Sequence, residues 1–383
     1  MKNKKEVNKM IYLDYAANAP VDGEVLDAYV KATKKYFANP NSTHKLGLEA
    51  KEAIDKASKN IAKYLGVDED EIIYTSGASE SNNLVIQGLS ERYKNNGKHI
   101  IISKLEHNSI VAPCQRMQEL GFEIDMVSPN KDGIIDIDEL QGLIRDDTIL
   151  VSITSVDSEL GIRQPIEEIG KLLKKYPNTF FHTDASQIIG KDHIDFTDVD
   201  LVTIAPHKFY GINGFGLFVK KKEVGLKPII YGGKSTTIYR SGTPVTGSVL
   251  ALDKALELAL FKLDERKKYI TELHDLVIER LKERNFIINS TINSIPNTIN
   301  FSVKGVISNV FVQLLGNKEV YISSKTSCCP ENAPSKSIYA LTNDNSLANS
   351  SMRVSLSHLT TKEEIDKFFE IFDETLEEYN GKE

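Results

Sequence analysis

The sequence predicts an α/β protein, with a seven-stranded, mainly parallel sheet and a smaller α+β domain. Short continuous apolar runs rich in β-branched residues read as strands covered on both faces. Segments with helix-spaced apolar residues separate them, and that alternation builds parallel sheets. After Gly232-Gly233-Lys234-Ser235 the pattern changes to longer helical stretches.

In chain order, strands are expected at Ile72–Thr75, His99–Ser103, Phe122–Val127, Thr148–Thr154, Thr179–Thr183, Leu201–Ile204 and Gly216–Lys220. Helical spacing fills Ser81–Tyr93, Asn108–Leu120, Ile137–Arg145 and Ile166–Lys175 between them. Val249 to about Arg284 reads as one long amphipathic helix, with Leu250, Leu252, Leu256, Ala259 and Leu260 on one face. Further strands are expected at Asn297–Val303, Val320–Ser323 and Met352–Leu356. The closing helix, Thr361–Tyr379, opens on a capping box made by Thr361 and Glu364. The expected division is a large domain over residues 16–257 and a small one from 1–15 with 258–383.

Composition excludes several classes. A chain of 383 residues, 40% hydrophobic and 26% charged, is long enough for a large core and ordinary for a globular protein. A net charge of −7 argues against nonspecific nucleic-acid binding. The Lys2–Lys5 cluster runs into Glu6 without the apolar core of a signal peptide, and no apolar run approaches the ~20 residues of a membrane span. The three cysteines, Cys114, Cys328 and Cys329, make neither a disulfide framework nor a metal-ligand spacing, so no metal and a reducing cytoplasm are expected.

Four segments carry chemistry at strand ends. Ser76-Gly77-Ala78-Ser79-Glu80-Ser81-Asn82 joins a strand to a helix with small residues, which suits either a phosphate or an ordinary N-cap. Asp184 follows a strand and could hold a pyridinium nitrogen protonated, or could cap a helix. His107 could stack on a flat ring or be structural. Lys208, behind His207, could present an amine to a carbonyl cofactor if burial or a nearby cation keeps part of it neutral. Together they stand in the order that pyridoxal phosphate enzymes use.

Seven segments resemble the cysteine desulfurases, class V members of the fold-type I pyridoxal-phosphate-dependent transferases. They are Tyr12-Leu13-Asp14-Tyr15-Ala16-Ala17, Asn39-Pro40-Asn41-Ser42-Thr43-His44, Thr75 through Asn82, Glu106-His107, His182-Thr183-Asp184-Ala185-Ser186-Gln187, His207-Lys208 and Arg240-Ser241-Gly242-Thr243. The resemblance implies pyridoxal 5'-phosphate as cofactor and Lys208 as its covalent anchor. It implies that Asp184 pairs with the pyridine nitrogen, His107 stacks on the ring and takes part in catalysis, and Gln187 meets the phenolic oxygen. Ala78, Ser79 and His207 would hold the phosphate, with Thr243 reaching in from the second subunit of a homodimer. Arg353 would fork onto the substrate carboxylate, which suits a guanidinium, with Ser158 beside the substrate. Cys328, at the end of Ile322-Ser323-Ser324-Lys325-Thr326-Ser327-Cys328, matches the nucleophile, and Cys329 is extra.

The chain departs from that family at four places. Asp157-Ser158-Glu159 replaces Asn-Asn-Glu, Ala205 replaces a phosphate-contacting serine, Lys325 replaces a glycine, and Asn18-Ala19 replaces Thr-Thr. Losing two neutral cofactor contacts costs on the order of 1 kcal/mol each. Lys325 would either favour a Cys328 thiolate or point into water. The implied activity is L-cysteine desulfuration, with a persulfide on the enzyme, release of L-alanine, and sulfur passed to an acceptor protein for iron–sulfur cluster or thio-cofactor synthesis. Two rivals stand beside it. One is another class V enzyme (an aminotransferase, a lyase or a selenocysteine-specific enzyme), which would turn over without Cys328. The other is a non-catalytic sulfur-carrier scaffold, which would release no alanine.

Overall fold

The computed structural model describes residues 10–233, 235–325 and 333–381. Strand β1 (Ile11–Tyr12) precedes two helices, Gly23–Lys35 and Lys45–Leu65. Both lie ahead of the strand–helix alternation, which is why that pattern did not reveal them. The second starts where His44 Nδ1 accepts the Gly47 N–H at 3.2 Å and ends at Gly66, which adopts the left-handed conformation.

The large sheet contains β2 (Ile72–Thr75), β3 (His99–Ser103), β4 (Glu123–Val127), β5 (Thr148–Ser152), β6 (Phe180–Asp184), β7 (Leu201–Ile204) and β8 (Gly216–Lys220). Their order is β2-β8-β7-β6-β5-β3-β4, and every pair is parallel except the two made by β8. The seven-stranded, mainly parallel sheet is therefore as expected. Because β8 alone runs backwards, the C-terminal ends of all the others share one edge of the sheet. Open parallel sheets bind ligands at that edge.

Period-2 alternation divides the strand residues between two faces. Ile72, Ile101, Val151, Phe181 and Val202 pack with Ile54, Ile61, Ile169 and Leu256 on one face. Ile73, Ile100, Ile102, Leu150 and Phe218 pack with Leu84, Leu89, Ile110 and Cys114 on the other. The second set rests on helix Asn108–Glu119 and on a helical run from Ala78 to Tyr93, which passes through a π turn at Leu84–Gly88.

The expected single helix from Val249 to Arg284 is instead two helices, Thr246–Phe261 and Leu263–Glu283, broken at Lys262 with φ −100° and ψ 9°. They serve different cores. Val249, Leu252 and Leu256 pack with the large sheet, whereas Ile270, Leu273 and Val277 join a second cluster with Phe301, Phe311 and Phe372. One straight rod could not face both. Strands β9 (Ile287–Ile288), β10 (Thr298–Ser302), β11 (Val320–Tyr321) and β12 (Ser351–Ser355) follow. β10 pairs antiparallel with both β9 and β12, and β1 pairs parallel with β11. The closing helix is Lys362–Asn380, and its capping box forms as expected, with reciprocal 3.1 Å bonds between Thr361 and Glu364.

Candidate active site

A cavity of about 400 Å³ opens at the C-terminal edge of the large sheet. Ala78, Ser79, His107, Ser158, Asp184, Gln187, His207, Lys208 and Arg353 all line it. Five strand ends and β12 therefore bring together residues that lie far apart in sequence.

On the β2 side, Gly77 has φ 152° and ψ 176°, a conformation reserved almost entirely for glycine. It lets the chain turn sharply into the helix at Ala78. Gly216, opposite Thr75 on β8, makes room for that turn, since a Cβ there would lie 2.5 Å from Gly77 Cα and 2.5 Å from Thr75 Oγ1. Gly216→Ala should therefore displace the turn, costing about 1–3 kcal/mol of stability and loosening any anion held there. Thermal melting and cofactor retention on dialysis measure the two effects. Unchanged values in both would mean that β8 yields freely.

Lys208 closes a short 3₁₀ turn after β7, and its Nζ donates to the carbonyls of Ala16 at 2.9 Å and Ala17 at 2.6 Å. Gln187 Nε2 donates to the same Ala16 carbonyl at 2.9 Å, while its Oε1 accepts from Lys191 Nζ at 2.6 Å. A carbonyl only accepts, so Ala16, together with Lys191 on the other side, sets which way the Gln187 amide points. Burial, with Lys208 and Arg353 adding to it, pushes the Lys191 amine down to about 7. His207 is pushed down to about 4, first by burial and then by Lys208 and Lys191, so it enters neutral chemistry as an uncharged ring.

Asp184 ends β6, with Oδ1 accepting the Ser186 N–H at 2.9 Å and Oδ2 accepting from Asn82 Nδ2 at 2.8 Å. Asn82 Nδ2 also donates to Ser109 Oγ at 2.8 Å, which lies 2.8 Å from His107 Nδ1. The Ser109 backbone N–H donates to that same Nδ1 at 3.1 Å, so the neutral imidazole carries its proton on Nε2. Burial lowers the His107 pKa, Asp184 opposes the shift and Lys208 adds to it. Sequence reasoning singled out neither Asn82 nor Ser109 as a site residue, although Asn82 stood within the quoted Thr75–Asn82 segment.

Glu106 sits beneath this network, with its Oε1 accepting from Ser103 Oγ and from the Thr154 N–H, and its Oε2 buried without a hydrogen-bond partner. Burial raises its pKa from 4.5 to about 8. The folded state therefore holds a proton that the unfolded chain has lost, and the associated stability is full below about 4.5 and disappears as pH rises through about 8. Glu106→Gln keeps the shape and removes the titration. It should flatten the fall in melting temperature over this interval, where the parent loses at most about 1.4 kcal/mol per pH unit. Parallel melting curves for the two proteins across the interval would refute the assignment.

Arg353, on β12, is 2% exposed; its Nη1 donates to the Ser158 carbonyl at 2.8 Å and its Nη2 to Asp14 Oδ1 at 2.6 Å. Asp157 turns away from the cavity. It caps the following turn through the Glu159 and Leu160 N–H groups and accepts from Ser337 Oγ at 2.9 Å. Burial and the Glu159 charge raise it to about 6. Ala205 lines the cavity with no hydroxyl to offer.

Of the two things the sequence suggested for Lys325, a position in water does not hold, and its effect on the Cys328 thiol falls outside the described residues. The residue is buried, and its Nζ donates to the Ala333 carbonyl at 2.7 Å. The aliphatic chain and ammonium thus fill space within the fold, so Lys325 does not extend into water. Thr243 is exposed and outside this chain's cavity, and the nearby Arg240 pairs with Glu80 at 2.9 Å. Cys328 and Cys329 lie outside the described residues. Among the described residues, no group of three or more His, Cys, Asp or Glu could hold a metal, and no helix is long and apolar enough to cross a membrane.

The Aminotransferase class-V family matches residues 11–368. Cysteine desulfurase IscS of Dictyoglomus turgidum is 36% identical over 97% of this chain and 95% of its own length. The chain belongs to the cysteine desulfurase family. A solved NifS-like protein superposes with a TM-score of 0.91 at 30% identity, over 96% of this chain and 100% of its own. SspA, solved in complex with cysteine, does so with a TM-score of 0.80 at 30% identity, over 91% of this chain and 99% of its own.

Members of the cysteine desulfurase family depend on pyridoxal phosphate, and the cavity fits that group. A carboxylate stands at its base, an amine on two carbonyls faces it, and a glycine turn leads into a helix at one end. Ser186 Oγ, on the cavity wall, is buried with no hydrogen-bond partner, so the lining retains an unmet polar group.

Proposed function

We propose that the protein is a pyridoxal-phosphate-dependent L-cysteine desulfurase in which Lys208, Asp184, His107 and Arg353 act from one cavity and Cys328 takes the sulfur. When bound, the cofactor supplies an aldehyde for covalent linkage and a protonated ring that withdraws electrons from the substrate's α-carbon. Lys208 anchors it and moves the proton at that carbon. Asp184 keeps the ring nitrogen protonated, held in place by Asn82 and the Ser186 N–H. His107 would pack on the ring, with its proton on Nε2. Gln187, oriented by Ala16 and Lys191, meets the phenolic oxygen, and Ala78, Ser79 and His207 hold the phosphate. Arg353 binds the amino acid's carboxylate near Ser158. The Cys328 thiolate would attack the substrate sulfur, so an S–S bond forms on the enzyme as the Cβ–S bond breaks with its electron pair left on carbon; that carbon takes up a proton and the skeleton leaves as L-alanine.

The convergence of Lys208, Asp184, His107 and Arg353 on one cavity carries this reading. The cysteine bound to SspA supports the choice of substrate. Thr243, exposed and away from its own cavity, supports a homodimer in which it completes the second copy's phosphate site. The proposed division into residues 16–257 and 1–15 with 258–383 has support from the separate hydrophobic clusters around the two sheets. The sulfur then passes to an acceptor protein, which intermolecular trapping of the persulfide would identify. The deciding experiment incubates the purified holoenzyme with L-cysteine and quantifies alanine and enzyme-bound persulfide. Alanine in stoichiometric step with sulfur supports the assignment, and no alanine from a protein with full cofactor would overturn it.

A further inference from the structure

We propose that Asp14 stands in for the substrate carboxylate on Arg353, and that an entering amino acid must displace it. The proposal rests on the reading of Arg353 as the carboxylate anchor. In the folded chain both Nη atoms of that guanidinium already carry a protein partner. Nη2 is held by Asp14 Oδ1 at 2.6 Å and Nη1 by the Ser158 carbonyl at 2.8 Å. Nε is buried and has no hydrogen-bond partner, and the residue as a whole is 2% exposed. Arg353 reaches the cavity wall with a carboxylate already paired to it.

The asymmetry of the pair suggests which partner moves. Arg353 is fixed by its strand, where its backbone pairs with Asn300 of β10 and bonds to Ser323. The Asp14 side chain is 20% exposed, against 2% for Arg353. Its backbone stays tethered, because its carbonyl accepts from Tyr12 Oη and from the Ala17 N–H. Rotation of one short side chain is enough to release the guanidinium.

Exchange of one carboxylate for another avoids leaving a buried cation unpaired, which is strongly unfavourable. It also improves the geometry. Asp14 leaves Nε without a partner, whereas a carboxylate taken side-on by Nε and Nη2 makes the parallel two-bond contact that guanidinium favours. Amines without a carboxylate gain nothing from the exchange and leave Asp14 where it is. Asp14 thus acts as an internal competitor that sets the affinity for amino acids and leaves that for simple amines untouched.

The test uses the holoenzyme and reads binding through the visible absorbance of the cofactor, with L-alanine and cysteamine as probes. Cysteamine lacks the carboxylate. Asp14→Asn should bind L-alanine roughly tenfold more tightly than the parent, with cysteamine unchanged. Asp14→Ala, purified in formate, is a second variant for which a small carboxylate fills the vacated position. Formate should compete with L-alanine in that variant and return its affinity toward the parent value. Weaker or equal L-alanine binding in both variants would overturn the displacement proposal alone, making Asp14 a support for Arg353. Undiminished L-alanine binding by Arg353→Ala would overturn the carboxylate-anchor reading, and this proposal with it.

Discussion

Lys208→Ala is expected to purify without the visible absorbance of lysine-linked cofactor and to release no alanine from L-cysteine. Among the described residues Lys208 is the only lysine on the wall of the large cavity, and Asp184 and His107 share that wall. Its amine donates to the carbonyls of Ala16 and Ala17. Removing one residue that both anchors the cofactor and moves a proton should lower kcat/KM by on the order of 10³-fold or more. Borohydride reduction followed by peptide mapping locates the anchor in the parent. Lys191, whose amine burial brings down to about 7, is the instructive competitor. Cofactor found on Lys191, or a variant that keeps the parent's absorbance, would remove Lys208 from the mechanism.

Cys328→Ser should abolish both persulfide formation and alanine release while leaving cofactor absorbance intact. The chain has three cysteines. Cys114 is 1% exposed, and burial pushes its thiol up to about 12, so it supplies no thiolate near neutral pH. That leaves the adjacent pair, of which Cys328 matches the nucleophile's place. Cys329→Ser should accordingly retain much of the activity. Mass spectrometry of the protein after one turnover, with and without reductant, finds the added sulfur. A dead Cys329→Ser beside an active Cys328→Ser would show that the match is displaced by one residue.

Much of the scaffold was legible because its signals are local. β2, β3, β7 and β8 occupy the segments expected of them, since β-branched apolar runs of this length pack on both faces and nowhere else so well. The Thr361 capping box lies within four residues of chain and needs no distant partner. The break at Lys262 was not legible. Apolar spacing continues across it, and only the presence of two separate cores requires the turn. The burial of Lys325 was not legible for the same reason, because the carbonyl that receives its ammonium belongs to Ala333.

Sequence alone determined the α/β class, the family resemblance and the identity of the residues at the strand ends. Each depends on residue type and on spacing over a few positions. The tertiary structure decided which of those residues share a cavity and what restrains them. Asn82 meets Asp184 across 102 positions, and Asp14 meets Arg353 across 339. Such pairs arise because the reversed strand β8 puts the other C-terminal ends on one edge, and because β1 and β12 bring the two chain ends beside it. A side chain's partner is then set by strand order and by the cost of burying a polar group without a bond, and neither is written in the neighbouring residues.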